Sequence, residues 1–321
     1  MPEMSRQIWL ASPMMRGDDV MAVQQRLHAL GAAIDVDGLY GRSTRSAVVD
    51  FQKRSGLEAD GIVGQATWGR LFEAPGAAAV SLPMMDANNI LAPGVLDELR
   101  SPHQRYKDSC AWSLTANGVS VRDAAGPAGD QPSESERALA ATVLQRFAQP
   151  LASVLSSQLT NVPVELVVAC ICAESSGNPS ALRREPGCDT SNPERTPSRV
   201  SLGLMQTLLS TARTALGDAT LPLQSLADPQ KSIAAGAAYI FMQGRQTRFD
   251  PPLVAAAYNA GGLYYEGTPA NRWRLRQYPI GTPNHVNRFI RYFNGAFASI
   301  DLATLPATVP SFKRMLTATV G

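Results

Sequence analysis

The run Asn161-Val162-Pro163-Val164-Glu165-Leu166-Val167-Val168-Ala169-Cys170-Ile171-Cys172-Ala173-Glu174-Ser175-Ser176-Gly177-Asn178-Pro179 decides how most of this chain is read. Pro163 suits a first helical turn, where a missing N–H costs nothing, and Gly177 followed by Pro179 suits an abrupt stop. Apolar residues cover nearly every face between them, so the helix is predicted to be buried. The run is too short, and too interrupted by Pro163 and Glu165, to span a bilayer. Glu174 falls in the last turn. Removal from water and the negative end of the helix dipole both oppose its ionisation there. A carboxyl so placed titrates high, as a general acid working near neutral pH requires. Taken alone, the helix fits a surface glutamate closing a core element better, so the neighbouring motifs have to decide.

Two other stretches bear on that choice. Ser201-Leu202-Gly203-Leu204-Met205-Gln206 is a short apolar turn ending in an amide able to hold a sugar hydroxyl or acetamido group. Pro251-Pro252 opens a helix that runs through Leu253 and Val254 to Tyr258, Asn259 and Ala260, stopped by Gly261-Gly262. Two buried helices ending in polar groups, with an amide-bearing turn between them, predict the floor of a cleft.

In chain order stand Glu174-Ser175 with Gly177-Asn178-Pro179, then Gly203-Leu204-Met205-Gln206, then Ala235-Gly236-Ala237-Ala238-Tyr239-Ile240, then Ala257-Tyr258-Asn259-Ala260-Gly261. Together, over about residues 140–297, they resemble the soluble lytic transglycosylase family of lysozyme-like enzymes. The resemblance implies a mainly α-helical, lysozyme-like catalytic domain with one catalytic glutamate, Glu174. It also implies sugar contacts from Met205, Gln206, Tyr239, Tyr258 and Asn259; Ser201, heading the turn, is a further candidate contact. The family usually closes with Glu-Thr-x-x-Tyr-Val, where this chain has Gly281-Thr282-Pro283-Asn284-His285-Val286. His285, standing in place of that tyrosine, is either a substrate contact or a structural donor. An insert from Arg183 to Ser198 is expected to wall the cleft. Tyr264, Tyr265, Glu266, Trp273 and Tyr278 occupy a long loop, where aromatics either stack on sugars or pack the loop down.

The first third holds a duplicated half-motif. Val20, Val23, Leu27 and Leu30 have helical spacing behind a capping Asp18 or Asp19, with Gly31 placed for a left-handed C-cap. Asp37-Gly38-Leu39-Tyr40-Gly41-Arg42-Ser43-Thr44 precedes a second helix through Phe51 and Gln52 toward Gly56. The signature recurs as Asp60-Gly61-Ile62-Val63-Gly64-Gln65-Ala66-Thr67, ahead of Trp68, Leu71 and Phe72. Asp-Gly makes a turn, the second Gly turns again, and Ser or Thr starts a helix. Such a repeat indicates a small helical module with internal pseudo-symmetry. With Val23-Gln24-Gln25-Arg26-Leu27 included, the stretch closely resembles the peptidoglycan-binding domain found beside wall hydrolases. That resemblance implies a three-helix fold binding murein without catalysis, with Tyr40 and Gln52 as candidate ligand contacts.

The expected order is therefore an N-terminal tail (1–16), the peptidoglycan-binding domain (17–74), a linker with a hairpin (75–135) and the catalytic domain (136–321). Pro75 to Pro93 has linker composition, with a hinge expected near residues 75–95. Trp112 to Thr115 and Gly118 to Val121 alternate as a hairpin does, and 126–136 is polar and rich in turn formers. From Glu136 to about Leu159, residues such as Leu139, Val143, Phe147, Leu151 and Leu155 predict the first catalytic-domain helix.

Composition narrows the partners. A chain of 321 residues, 45% hydrophobic and 17% charged, fits a two-domain globular protein. A net charge of +2, with only a modest arginine cluster at Arg272, Arg274, Arg276, Arg288 and Arg291, argues against nucleic acid. Peptidoglycan glycan strands are the expected partner of a chain that acts as a monomer. His28, His103 and His285 form no ligand cluster, so neither metal nor cofactor is expected. Met1 to Arg16 lacks the apolar core of an export leader. Synthesis in the cytoplasm is expected, followed by release or injection toward the wall, as for an endolysin or a secreted effector. Of the four cysteines, Cys170 and Cys172 read as buried apolar residues, or either pairs with Cys188. A single glutamate suits a lytic transglycosylase that leaves 1,6-anhydro ends. A goose-type-like muramidase needs a second carboxylate, for which Glu185, Asp189, Glu194 and Asp228 are the candidates. A non-catalytic murein-binding protein is the third reading.

Overall fold

The computed structural model describes residues 6–30, 32, 34–55, 57–72, 93–122, 130–157 and 161–318. Gly31, Gly56, the expected linker over 75–92 and residues 126–129 lie outside the described residues. The chain divides into two compact units, Met1–Leu82 and Pro83–Gly321. It is mainly α-helical, with two small antiparallel ribbons among the described residues.

The first unit packs three helices, α1 (Asp18–Ala29), α2 (Arg42–Arg54) and α3 (Gln65–Phe72). Val20, Val23, Leu27, Val48, Trp68 and Leu71 meet in its core. Gly17 takes the N-cap of α1, so Asp18 and Asp19 lie in the first turn rather than at the cap. Asp19 instead pairs with Arg6 at 2.6 Å. The expected tail is part of this unit: Ile8 is fully buried and exchanges backbone hydrogen bonds with Val63.

The sequence repeat is a repeat of hydrogen bonds. Gln24 Nε2 donates to Asp37 Oδ1, the Leu39 carbonyl and Thr44 Oγ1, while its Oε1 accepts from Gly38 N. Gln52 does the same with Asp60, the Ile62 carbonyl, Thr67 and Gly61 N. Each Asp-Gly turn is thus clamped by a glutamine from the preceding helix. Tyr40 is fully buried and donates to the Gly61 carbonyl at 2.8 Å. Tyr40 and Gln52, the candidate ligand contacts, both lie inside, with their polar groups engaged by the turns. Gln24→Ala and Gln52→Ala are each expected to cost this unit about 2–4 kcal/mol, because the abandoned turn groups are shielded from water. Thermal melts of the variants check this; a loss below about 1 kcal/mol would show that the amides do not hold the turns.

The second unit opens with α4 (Pro93–Arg100), β1 (Ala111–Thr115) and β2 (Gly118–Arg122). The hairpin forms as expected, pairing Trp112 with Val121, but it is no linker. Trp112 is 1% exposed, its indole N–H donates to the Asp250 carboxylate at 2.9 Å, and its ring meets Trp273. Burying that large ring fixes the hairpin into the domain core.

Next come α5 (Glu134–Arg146), started by a Ser133–Glu136 capping box, and α6 (Ala148–Leu155). One helix was expected over this stretch. It breaks at Phe147 because Pro150 has no N–H for the Arg146 carbonyl and its ring crowds that oxygen. The buried helix α7 (Val164–Ser175) follows. After it come β3 (Leu182–Arg184), β4 (Val200–Leu202), α8 (Leu209–Leu216), α9 (Pro229–Met242), α10 (Gly244–Thr247), α11 (Pro251–Ala260), α12 (Asn284–Ser299) and α13 (Phe312–Ala318).

Helix α7 packs against α5, α9, α11 and α12, and every residue from Val164 to Ala173 is buried. Its buried Glu165 accepts from Ser311 Oγ and from the backbone N–H groups of Phe312 and Lys313. The first turn of α13 is thereby tied to the central helix. Among the described residues no helix is long and apolar enough to cross a membrane.

Candidate active site

Helix α7 stops because Ser176 and Gly177 both turn left-handed, at φ 52° and 76°. The stop leaves Glu174 at the rim of the core, its side chain only 10% exposed. Burial pushes its carboxyl up to about 7, while the charges of Arg183 and Arg288 pull the other way. His285, on the first turn of α12, places Nε2 3.7 Å from Glu174 Oε1. Burial first, then Arg288 and Arg183, push His285 down to about 3, and its ring hydrogen-bonds the backbone of Ala255. At neutral pH it is an uncharged neighbour of the carboxyl.

The Gly203–Gln206 turn is hydrogen-bonded to α9 through Ser232 and to α11 through Tyr258. Tyr258 Oη donates to the Met205 carbonyl at 2.8 Å and sits 2.9 Å from Thr207 Oγ1. Its ring meets that of Tyr239 edge to face, with centroids 5.2 Å apart. The fully buried Met205 lies over Gly236, where an added Cβ would come within 2.4 Å of Met205 Cε. Gly236 of the Ala-Gly-Ala-Ala-Tyr motif is therefore a seat for this methionine.

The Gln206 amide is less available than the sequence implied. Its Nε2 donates to the Ala181 and Gly203 carbonyls, and its Oε1 accepts from Ser201 Oγ. Gln206 and the 2% exposed Ser201 brace the turn from within. Asn259 Oδ1 accepts from Tyr278 N at 2.6 Å, which fastens the loop after α11. Its Nδ2 has no partner among the described residues. The structure thus brings Glu174, His285, Tyr258, Tyr239 and Met205 into one neighbourhood, with Ser201 and Gln206 behind the turn.

Of the loop aromatics, Trp273 is fully buried and donates to Asn287 Oδ1. Tyr265 is tied to Asp108. Tyr278 is 54% exposed and borders a groove of about 280 Å³ with Asn284, His285, Asn287, Arg288 and Arg291. Sequence reasoning singled out Tyr278 and His285 but missed the groove. The usable signal was the i, i+3 spacing of His285 and Arg288 along one edge of the apolar face of Val286, Phe289, Ile290 and Phe293.

The insert after Glu174 returns through an antiparallel β3–β4 pair that sets Arg183 opposite Ser201. Asp189 accepts from Ser191 and Asn192 within a turn, Glu194 pairs with Arg213 and accepts from Leu223 N, and Asp228 caps α9. Three of the four candidate second carboxylates thus have structural duties. All four cysteines are free thiols, with Cys170 and Cys172 in the core, so neither pairs with Cys188.

Fold and site together define a helical domain whose central helix ends in a buried carboxyl held up to about 7, accompanied by a separate three-helix module. Residues 156–272 match the family described as "Transglycosylase SLT domain", and residues 16–71 the family described as "Putative peptidoglycan binding domain". Both kinds of domain are thus matched within one chain. It is 43% identical over 68 residues to a protein of Bacillus licheniformis named "Probable N-acetylmuramoyl-L-alanine amidase", covering 20% of this chain and 19% of the relative. It is 47% identical over 57 residues to an uncharacterized protein of Kitasatospora aureofaciens, covering 17% of this chain and 48% of that one. The chain thus spans less than half the length of these curated relatives. Among solved structures, the 70 kDa soluble lytic transglycosylase of Escherichia coli is 19% identical, with a TM-score of 0.34, over 53% of this chain and 28% of that one. A Burkholderia AP3 phage endolysin is 19% identical, with a TM-score of 0.23, over 92% of this chain and 100% of that one.

Proposed function

We propose that this chain is a peptidoglycan lytic transglycosylase that cleaves the β-1,4 bond from N-acetylmuramic acid to N-acetylglucosamine with Glu174 as its one catalytic carboxyl. The observation that carries this reading is the burial of Glu174, which pushes its carboxyl to about 7. At that value the same group is able to give and take a proton near neutral pH. Protonated Glu174 donates to the glycosidic oxygen as the bond to muramoyl C1 breaks. The resulting carboxylate then removes the proton of the muramoyl C6 hydroxyl as O6 closes on C1, leaving a 1,6-anhydro ring and a protonated Glu174.

Asn259, Tyr239 and His285 contact the sugars in this reading, Tyr258 and Met205 line the floor, and Ser201 and Gln206 hold the turn. The N-terminal unit retains the enzyme on murein without catalysis, and a single copy suffices. The reaction as written calls for no metal or cofactor. The chain acts on the wall after release or injection, as an endolysin or effector does.

Mass spectrometry of digested murein tests the product: ends lighter by one water than reducing ends are expected. Reducing ends would overturn the transglycosylase reading in favour of a muramidase, with Glu185 the first partner to substitute. Binding to murein with no cleavage of any kind would leave only a wall-binding protein.

A further inference from the structure

We propose that Arg183 and Arg288 form a two-armed cation site at the mouth of the Glu174 site that takes a carboxylate carried by the muramoyl residue. That carboxylate is either the free lactyl group or one on the stem peptide. The inference rests on the glycan-cleaving reading above and deepens it, by making the substrate's negative charge part of recognition.

The two arginines come from unrelated elements. Arg183 lies on β3, opposite the Ser201 that hydrogen-bonds Gln206. Arg288 lies one turn beyond His285 on α12 and lines the groove beside it. Both act electrostatically on Glu174 and on His285. Both are exposed, and among the described residues neither has a hydrogen-bond or ion-pair partner. Four other arginines of this unit are matched: Arg213 with Glu194, Arg272 with Asp130, Arg274 with Asp108 and Arg291 with Glu136. Arg288 and Arg183 are thus unmatched where a ligand enters.

Their position is otherwise unhelpful. Two positive charges favour the carboxylate form of Glu174, whereas the first step needs the acid form. The other groups facing Glu174 do not offset them: Cys170 on α7, Tyr258 on α11 and His285 on α12 are all uncharged at neutral pH, being held so by burial. A carboxylate seated on the arginines cancels their pull, so binding the correct substrate returns the proton to Glu174. Guanidinium groups suit this task, since their fixed forks match carboxylate oxygens. The groove of about 280 Å³ offers Asn284 and Asn287 beside Arg288 for the rest of the branch.

The test uses the full chain carrying Glu174→Gln, so that binding is read without cleavage. Calorimetry compares a neutral N-acetylglucosamine tetramer, a murein tetrasaccharide with free lactyl carboxylates, and the same sugar bearing stem peptides. One or both carboxylate ligands should bind more tightly than the neutral one, and which of them does identifies the source. Adding Arg183→Gln or Arg288→Gln should erase that preference by about tenfold each, the weight of one charge-assisted hydrogen bond. Arg184→Gln, on the same strand, should leave it intact. With Glu174 restored, Arg288→Gln should also move the alkaline limb of kcat/KM to higher pH, which a merely structural arginine would not do. Equal affinity for neutral and anionic sugars, or a preference that survives both substitutions, overturns the inference alone. Failure to bind any of the three, together with no murein cleavage by the parent chain, overturns the functional reading beneath it as well.

Discussion

Glu174→Gln is expected to reduce murein cleavage about 10³–10⁴-fold, the range for losing a general acid–base group, while leaving co-sedimentation with murein unchanged. The substitution keeps the volume and removes only the proton that is given and taken back. It also has a signature in stability. An unfolded glutamate titrates at about 4.3, whereas burial holds the folded group near 7. The folded chain therefore binds this proton more tightly. The stabilisation is complete below the unfolded value and is lost as pH rises through about 7, a change of about 4 kcal/mol. A glutamine cannot ionise and escapes that loss. Glu174→Gln should therefore equal the parent chain near pH 4 and exceed it by up to about 4 kcal/mol near pH 8. Denaturant melts across that range decide the matter: parallel stability curves would show that Glu174 is not held in its acid form. Activity should fall along an alkaline limb centred near 7 for the same reason.

Gly203→Ala is expected to be the most damaging single methyl group in the second unit, costing about 3–5 kcal/mol. Gly203 has φ +96°, a conformation that L side chains rarely adopt. An added Cβ would also lie 1.9 Å from the Leu226 carbonyl oxygen and 2.8 Å from Ser232 Oγ. The first neighbour is backbone and cannot swing aside. Ser232 Oγ accepts the Met205 N–H, so displacing it loosens the carbonyl on which Tyr258 closes. Tm should fall by about 10 °C, and activity should fall further than the residual folded fraction explains. A variant with parent-like Tm and activity would show that the turn yields more freely than its packing implies.

The chemistry of individual segments was legible in the chain itself. Pro163 and Gly177 delimit α7, Gly261 stops α11, and the doubled Asp-Gly-x-x-Gly signature marks a helical repeat, because each depends on φ preferences and capping within a few residues. The mainly α-helical class follows from the same local signals. Burial of the helix that carries Glu174 was also readable, since a helix apolar on every face has only one place to go.

Only the packed structure decided where polar side chains spend their hydrogen bonds. Gln206 and Gln52 offer the same amide as any sugar-binding glutamine. Carbonyls at Ala181 and Ile62, brought close by turns elsewhere in the chain, claim both. Trp112 became core because Asp250, more than a hundred residues onward, takes its indole N–H and Trp273 packs against its ring. Arg183 and Arg288 converge on one carboxyl from a strand and a helix with no shared local pattern. Backbone preference is a property of a few consecutive residues and survives in the linear chain. The partner of a buried polar atom is set by which distant segments pack beside it, and that exists only once the chain has folded.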